Sequence, residues 1–411
     1  MKPKAALIWA GVMLANMSVF DYAQARDFSM LYSFQGGKDG SEPLASLAED
    51  KQGNLYGTTF HGGNLHCDCG TVFKFASDRT ETVLHAFGKL LDGTSPQSSL
   101  VIDRKGNLYG TTYEGGSGKA CHDHSCGVVF KVLPDRTEKI LYSFQGGNDG
   151  GQPASGLFVA GSGDFYGVTT GGGGTGCKRT KGCGTVYMLA PRGLETVVYR
   201  FQPGIDGTPP LGNLIMDEKG NLYGTTEFGG GGNCGGKLGC GTVFKVAPDG
   251  TETVLHAFTG ADGAFPTGGV VLDSAGNLYG TTNEGGSHCG GGCGVIFKLA
   301  PNSSETLLYS FCAQASCADG SNPASGLVVD GSGNYYGTTS YGGDPACDSG
   351  CGIVYKITPG GAQTVLHSFA SSDGAYPTAG LILGESGTLF GTTAAGGSHQ
   401  AGVIFGVTTG R

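Results

Sequence analysis

Apolar residues come in short bursts along the chain, each closed off by Gly, Asp, Asn or Pro. One stretch reads NLIMD (Asn213 to Asp217), NLYGTT (Asn221 to Thr226), TVFKV (Thr242 to Val246) and ETVLHAF (Glu252 to Phe258). Runs of this length, rich in β-branched and aromatic residues and bounded by turn formers, predict four strands, termed a, b, c and d. The a–b link, Asp217-Glu218-Lys219-Gly220, and the c–d link, Ala247-Pro248-Asp249-Gly250, carry tight-hairpin chemistry: Gly supplies a positive φ and Asp caps its own turn.

The same four-strand unit recurs. The glycine of the GTT signature falls at Gly57, Gly110, Gly167, Gly224, Gly280, Gly337 and Gly391. A regular period of about 56 residues points to a propeller or an array, and four antiparallel strands per unit is the plan of a propeller blade. Strand d occurs seven times, first as MLYSF (Met30 to Phe34), yet the chain begins with d and ends just after the seventh c, Val403 to Val407. Pairing the N-terminal strand with that last c closes the ring and removes an exposed edge. The expected fold is all-β: one seven-bladed β-propeller over residues 26–411, closed by its N-terminal strand. Tight a–b and c–d turns share one face, and longer d–a and b–c loops share the other.

Composition supports a folded chain. Among 411 residues there are 80 glycines and 16 prolines, but 38% of residues are hydrophobic and only 14% charged. Disordered chains combine low hydrophobicity with high net charge, so these glycines read as turn punctuation. The net charge of -9, with no Lys/Arg cluster that stands out, argues against a nucleic-acid partner. At the N-terminus, Lys2 and Lys4 precede an apolar stretch and an Ala23-Gln24-Ala25 cleavage site. Residues 1–25 therefore read as a secretory signal peptide. No later stretch is long enough for a membrane span, and a monomer outside the cytoplasm is expected, secreted, periplasmic or at the cell surface.

The unit GNLYGTT…GG…CGTVFKV…GTETVLHAF…DG-x-x-P resembles the GloVer tandem-repeat family of secreted bacterial proteins, also described as choice-of-anchor proteins. The resemblance covers essentially the whole mature chain. It implies an extracellular, propeller-like protein and brings no established activity. Many members are said to end in a surface-sorting segment; this chain ends at Arg411 without an apolar tail or basic run, so anchoring by that route is not expected. The DxxGNLY turn also looks like the blade turn of NHL-type and lactonase-type propellers.

Fourteen cysteines form close pairs: Cys121/Cys126, Cys177/Cys183, Cys234/Cys240, Cys289/Cys293 and Cys347/Cys351 in b–c loops, Cys312/Cys317 in a d–a loop, and the tighter Cys67/Cys69. An even count in a secreted protein reads as disulfides. Each would be a local staple for a Gly-rich loop that is costly to order, worth roughly 2 kcal/mol for a loop of about six residues in the loop-entropy model. A Cys67–Cys69 bridge would close a strained ring, and whether that pair joins stays open. The alternative is a Cys₄ zinc site built from two pairs, which would have to be brought together from different blades. No cofactor or metal is expected.

Each d–a loop carries D-G-x-x-P, with Asp39, Asp92, Asp149, Asp206, Asp262, Asp319 and Asp373 as turn setters; repeated Ca²⁺ sites are the alternative. His85, His256 and His367 alternate with Tyr32, Tyr142, Tyr199 and Tyr309 at one strand-d position, which reads as half-buried packing. His122-Asp123-His124 is a metal-capable cluster without an evident third ligand. There is no G-x-S-x-G, H-E-x-x-H or dinucleotide fingerprint.

In a ring of repeats, unrepeated residues are the functional candidates. The most variable slot follows GTT: Phe60-His61, Tyr113-Glu114, Gly171-Gly172, Glu227-Phe228, Asn283-Glu284, Ser340-Tyr341 and Ala394-Ala395. Of these, Phe60, His61, Tyr113, Glu114, Glu227, Phe228, Glu284 and Tyr341 are candidate ligand-binding residues near the channel mouth. Rings stack on sugars and carboxylates accept hydrogen bonds, which suits an extracellular glycan or protein ligand. Two functions are expected: a non-enzymatic binding or scaffold module using the long-loop face, or a lactonase-like or polysaccharide-cleaving enzyme with its site at the channel mouth.

Overall fold

A computed structural model of the chain describes residues 27–409, apart from 65, 89–90, 122–124, 175–176, 178–181, 205 and 235–237. The signal-peptide segment and the His122-Asp123-His124 cluster lie outside the described residues. The rest folds as seven antiparallel sheets in a ring, a seven-bladed β-propeller with four strands per blade, to which blade 4 adds a short fifth strand, Thr208–Pro210, beside Leu222–Phe228. Blade 1 runs Ala48–Glu49, Leu55–Thr59, Thr71–Phe75 and Glu81–Ala86 as a, b, c and d, and the order repeats round the ring. The last blade takes its outer strand from the N-terminus: Phe28–Ser33 pairs antiparallel with Val403–Thr408, with Phe28 opposite Val407 and Ser33 opposite Val403. The ring thus closes as expected, through the strand at one end of the chain and the strand at the other.

The core lies between blades rather than within them. Each of seven buried clusters joins one blade to the next; Tyr56, Val72 and Phe87 of blade 1, for example, pack with Leu100, Leu108 and Phe130 of blade 2. An edge-to-face aromatic pair marks every junction, such as Phe87–Phe130 at 5.2 Å and Phe369–Phe405 at 5.0 Å between ring centres. Such a pair contributes about 0.5–1.5 kcal/mol beyond its buried area. Strand d carries a bulge in every blade, as where Val72 and Phe73 face His85 and Val83. The extra residue, Leu84 in blade 1, turns into the junction with the next blade.

The repeated phrase GNLYGTT builds this junction. At Gly57 an added Cβ would stand 2.6 Å from Phe73 Cζ and 3.0 Å from Leu47 Cδ2. The glycine therefore makes room for a strand-c ring, not for the close backbone approach its position in a strand suggests. The first Thr reaches the next blade: Thr225 Oγ1 donates to the Gly268 carbonyl at 2.8 Å, and Thr281 Oγ1 to Ser325 at 2.7 Å. In blade 3 that position is Val168.

Candidate functional site: the long-loop face

The second Thr of the phrase holds the variable slot. In all seven blades its hydroxyl donates to the carbonyl of the slot's second residue, at 2.9 Å from Thr59 to His61 and 2.8 Å from Thr339 to Tyr341. Backbone bonds then tie the slot to the D-G-x-x-P loop that enters the same blade, as in Phe60 N to Glu42 O and Ser340 N to Asn322 O. This register corrects the blade 3 slot. Thr169 Oγ1 donates to Gly171 and Thr170 N to Gln152 O, so the slot is Thr170-Gly171 rather than Gly171-Gly172.

The candidate residues occupy different surroundings. Phe60 and His61 are half-buried, and their rings meet edge to face at 4.7 Å. His61 Nδ1 lies 3.1 Å from Asp68 and its Nε2 3.9 Å from Glu42. Tyr113 is half-buried and Glu114 exposed. Glu227 is half-buried, whereas Phe228 is only 9% exposed and packs against Phe265. Glu284 is half-buried. Tyr341 is exposed and sits edge-on to Tyr376 at 5.6 Å.

Tyr341 and Tyr376 line an open groove of about 1070 Å³ at blade 6, together with Asn322, Ser321, Asp348 and Cys317. Two aromatic rings in one groove with amide, hydroxyl and carboxylate groups can stack a ring-shaped ligand and hydrogen-bond its edge. Tyr376 was not singled out from the sequence. It stands just before Pro in D-G-x-x-P, where the blades read Glu42, Ser95, Gln152, Pro209, Phe265, Asn322 and Tyr376. That position is as variable as the slot it pairs with, and this variability was the available signal.

The central channel has a different character. At its d–a end it encloses about 160 Å³, and deeper about 360 Å³. Seven equivalent positions line both parts, reading Ser, Ser, Gly, Asn, Gly, Gly and Gly from Ser46 round to Gly380. None of the lining residues is ionisable. Glu114, Glu227 and Glu284 belong to blades 2, 4 and 5 and line neither the channel nor the blade 6 groove.

The repeated ionisable groups are occupied by the scaffold. Tyr32, Tyr142, Tyr199 and Tyr309 each donate a phenol hydrogen bond of 2.6–2.9 Å to the Asp of the following D-G-x-x-P. His256 and His367 place Nε2 3.1 Å from Asp262 and Asp373. The aspartates also cap backbone, as in Gln35 N to Asp39 at 2.8 Å. Although partial burial pushes Asp262 up, hydrogen bonds from His256 and Thr259 outweigh it and hold the carboxyl at about 2.

The opening glutamate of strand d faces this unit from the next blade. Glu81, Glu138, Glu195 and Glu252 are all held up at about 7, first by burial and then by interactions that include the carboxylates of Asp39, Asp92, Asp149 and Asp206. In each, Oε1 is buried without a protein partner. In blade 6 the position is Gln363, whose amide donates to the Asp319 carbonyl at 3.3 Å.

All seven cysteine pairs are disulfides: Cys121–Cys126, Cys177–Cys183, Cys234–Cys240, Cys289–Cys293, Cys312–Cys317 and Cys347–Cys351, with Cys67–Cys69 included. As staples of the Gly-rich loops they reach deeper than the loops themselves. Cys126, Cys183, Cys240 and Cys351 are fully buried and belong to the core between blades. Cys126 packs in one cluster with Phe144 and Tyr187, and Cys351 in another with Val354, Phe369 and Phe405. The cause is their place directly before the glycine that leads into strand c, where the chain passes beneath the incoming D-G-x-x-P loop. The Cys126 carbonyl accepts from Gln152 N at 2.7 Å, and the Cys351 carbonyl from Tyr376 N at 2.9 Å. These four cysteines are therefore structural groups out of reach of a ligand on the loop face, and each ties its b–c loop to the core.

One expectation about the cysteines is corrected: two pairs need not come from different blades to meet. Cys289–Cys293, in the b–c loop of blade 5, and Cys312–Cys317, in the loop leaving strand d of the same blade, bring four sulfurs within 4.8 Å of one another.

A repeat propeller with disulfide-stapled loops on one face is the class that fold and site define. The Gloeobacter/Verrucomicrobia repeat matches the chain in three overlapping stretches, residues 11–238, 120–347 and 233–411. The chain belongs to that family. No curated protein matches it. Among solved structures it is similar to the extracellular domain of a one-component system from B. thetaiotaomicron, with TM-score 0.53 and 10% identity over 93% of this chain and 40% of that one. It is also similar to PorZ, a surface component of the type-IX secretion system of Porphyromonas gingivalis, with TM-score 0.52 and 13% identity over 92% and 48%. A third similarity is to a chain of the Mitotic Checkpoint Complex, with TM-score 0.53 and 11% identity over 99% of both. At such identities the likeness shows the propeller fold alone. The chain spans less than half the length of the first two. No helix among the described residues is long and apolar enough to cross a membrane.

Proposed function

We propose that the protein is a non-enzymatic binding module outside the cytoplasm, and that its long-loop face takes a glycan in the blade 6 groove. The observation that carries this reading is the exposed Tyr341 ring edge-on to the half-buried Tyr376, in one groove with Asn322 and Asp348. Stacking surfaces with a few polar groups are what a sugar ring requires. An enzyme would need converging ionisable groups or a metal in a cleft, and the uncharged channel lining supports the binding reading instead. Seven disulfides favour an oxidising compartment.

A glycan array probed with the purified chain tests the proposal. Selective binding of one glycan class, lost in a Tyr341→Ala, Tyr376→Ala double variant with an unchanged melting temperature, is the expected result. Binding undiminished in that variant would sink the groove as the site. Silence across the array, with a protein captured from the cell surface, would replace the glycan by a protein ligand.

A further inference from the structure

We propose that Cys289, Cys293, Cys312 and Cys317 form a single redox-gated metal site, two disulfides when oxidised and one Zn²⁺ tetrathiolate when reduced. The four sulfurs all lie within 4.8 Å of one another. A tetrahedral tetrathiolate with Zn–S of about 2.3 Å places its sulfurs about 3.8 Å apart, so once the Cys289–Cys293 and Cys312–Cys317 bonds are cut, separation within each pair alone brings the four ligands to about the required spread. Among the described residues this is the only group of three or more metal-ligating side chains drawn so close.

The arrangement is also unrepeated. Five blades carry a cysteine pair in the b–c loop with no cysteine in the d–a loop beside it, whereas blade 5 carries both. Its d–a loop is longer than the others: Asp319 stands eight positions after Phe311, against five from Phe34 to Asp39. The added length holds the second pair and the short 3-10 turn Ala315–Cys317. Loop stapling alone would have been met by one disulfide, as elsewhere. Cys293 is buried while Cys289 is exposed, which lets a reductant and a metal reach the cluster from one side.

The chemistry balances with a dithiol reductant. Two equivalents deliver four electrons and four protons, cleave both S–S bonds and leave as cyclic disulfides. Zn²⁺ then displaces the four thiol protons, since thiolate is the metal-binding form. Cys317 also lines the blade 6 groove, and its carbonyl accepts the Gly343 and Gly320 amides, so exchange at this cluster reaches the groove wall directly.

Alkylation mapping on the intact chain tests the site. The protein is reduced with a dithiol, incubated with or without Zn²⁺, and labelled in a time course read by peptide mass. Zn²⁺ should slow labelling of these four cysteines at least tenfold and leave Cys177, Cys183, Cys234 and Cys240 unchanged. Co²⁺ in place of Zn²⁺ should give the intense visible bands of a tetrahedral thiolate site at one equivalent per chain. A Cys312→Ser, Cys317→Ser double variant should lose them, and a Cys177→Ser, Cys183→Ser variant should keep them. Equal protection of all cysteines, absence of the Co²⁺ bands in wild type, or their persistence in the first variant would overturn the proposal.

Discussion

The glutamates that open strand d give the ring an unusual response to pH. Glu81, Glu138, Glu195 and Glu252 are held up at about 7 against an ordinary 4.5, chiefly because each is half out of water, with the Asp of the preceding blade adding repulsion. A carboxyl whose pKa is raised on folding stabilises the folded state fully below its unfolded value, and that stabilisation is lost as pH rises through the folded value. Stability from these groups should therefore fall between about pH 4.5 and 7, opposite to the trend set by low-pKa aspartates. One pKa unit corresponds to about 1.4 kcal/mol. Because the groups are half exposed, solvent screening cuts the full conversion to about 1 kcal/mol each. Replacing these four with Gln should remove most of the trend, leaving Glu305, which burial raises in the same direction, and Gln is accommodated naturally at Gln363. Urea denaturation of wild type and quadruple variant at pH 5 and pH 8 measures it. Wild type should lose about 4 kcal/mol more than the variant over that interval, treating the four sites as additive. A wild type as stable at pH 8 as at pH 5, or a variant that declines equally, would refute the reasoning.

Two further outcomes test the architecture. Thr225→Val should destabilise by about 1–2 kcal/mol, because the buried Gly268 carbonyl loses its donor; thermal melts should show Val168→Thr, which restores that hydroxyl in blade 3, raising the midpoint instead. Removing the N-terminal strand, residues 28–33, uncovers the edge of Val403–Thr408, and size-exclusion chromatography should show self-association through it.

Most of the fold was legible because a propeller writes its hydrogen bonds into a period. Hairpin turns, strand lengths and the split seventh blade all follow from where Gly, Asp and Pro recur, and the structure adds only which atoms meet. The phrase GNLYGTT could be recognised as scaffold, but the division of labour between its two threonines could not, since both are ordinary strand residues until the neighbouring blade is in place. The site was less legible. Tyr341 lay in a slot singled out for its variability, whereas Tyr376 lies 35 residues further on, in the loop entering the next blade, and only the ring brings the two together. Phe228 looked equivalent to Tyr341 by alignment, and it too meets an aromatic ring of the next loop, Phe265, yet it is only 9% exposed where Tyr341 is 40%. Cys126 and Cys351 read as loop residues because glycines surround them, and only the incoming loop of the next blade buries them. The four-cysteine cluster escaped for a related reason: strands c and d double back, so a b–c loop and the following d–a loop of one blade end side by side.

The central claim is that the blade 6 groove binds a glycan through its aromatic pair. Isothermal titration of the glycan selected on the array, against wild type, Tyr341→Ala and Leu194→Ala, tests it most directly; Leu194 is a highly exposed residue at a c–d turn, on the opposite face. Losing one stacking ring should weaken binding about tenfold, a change of about 1.4 kcal/mol, while Leu194→Ala leaves the affinity unchanged. Equal affinity for wild type and Tyr341→Ala, or a loss shared by Leu194→Ala, would contradict the account.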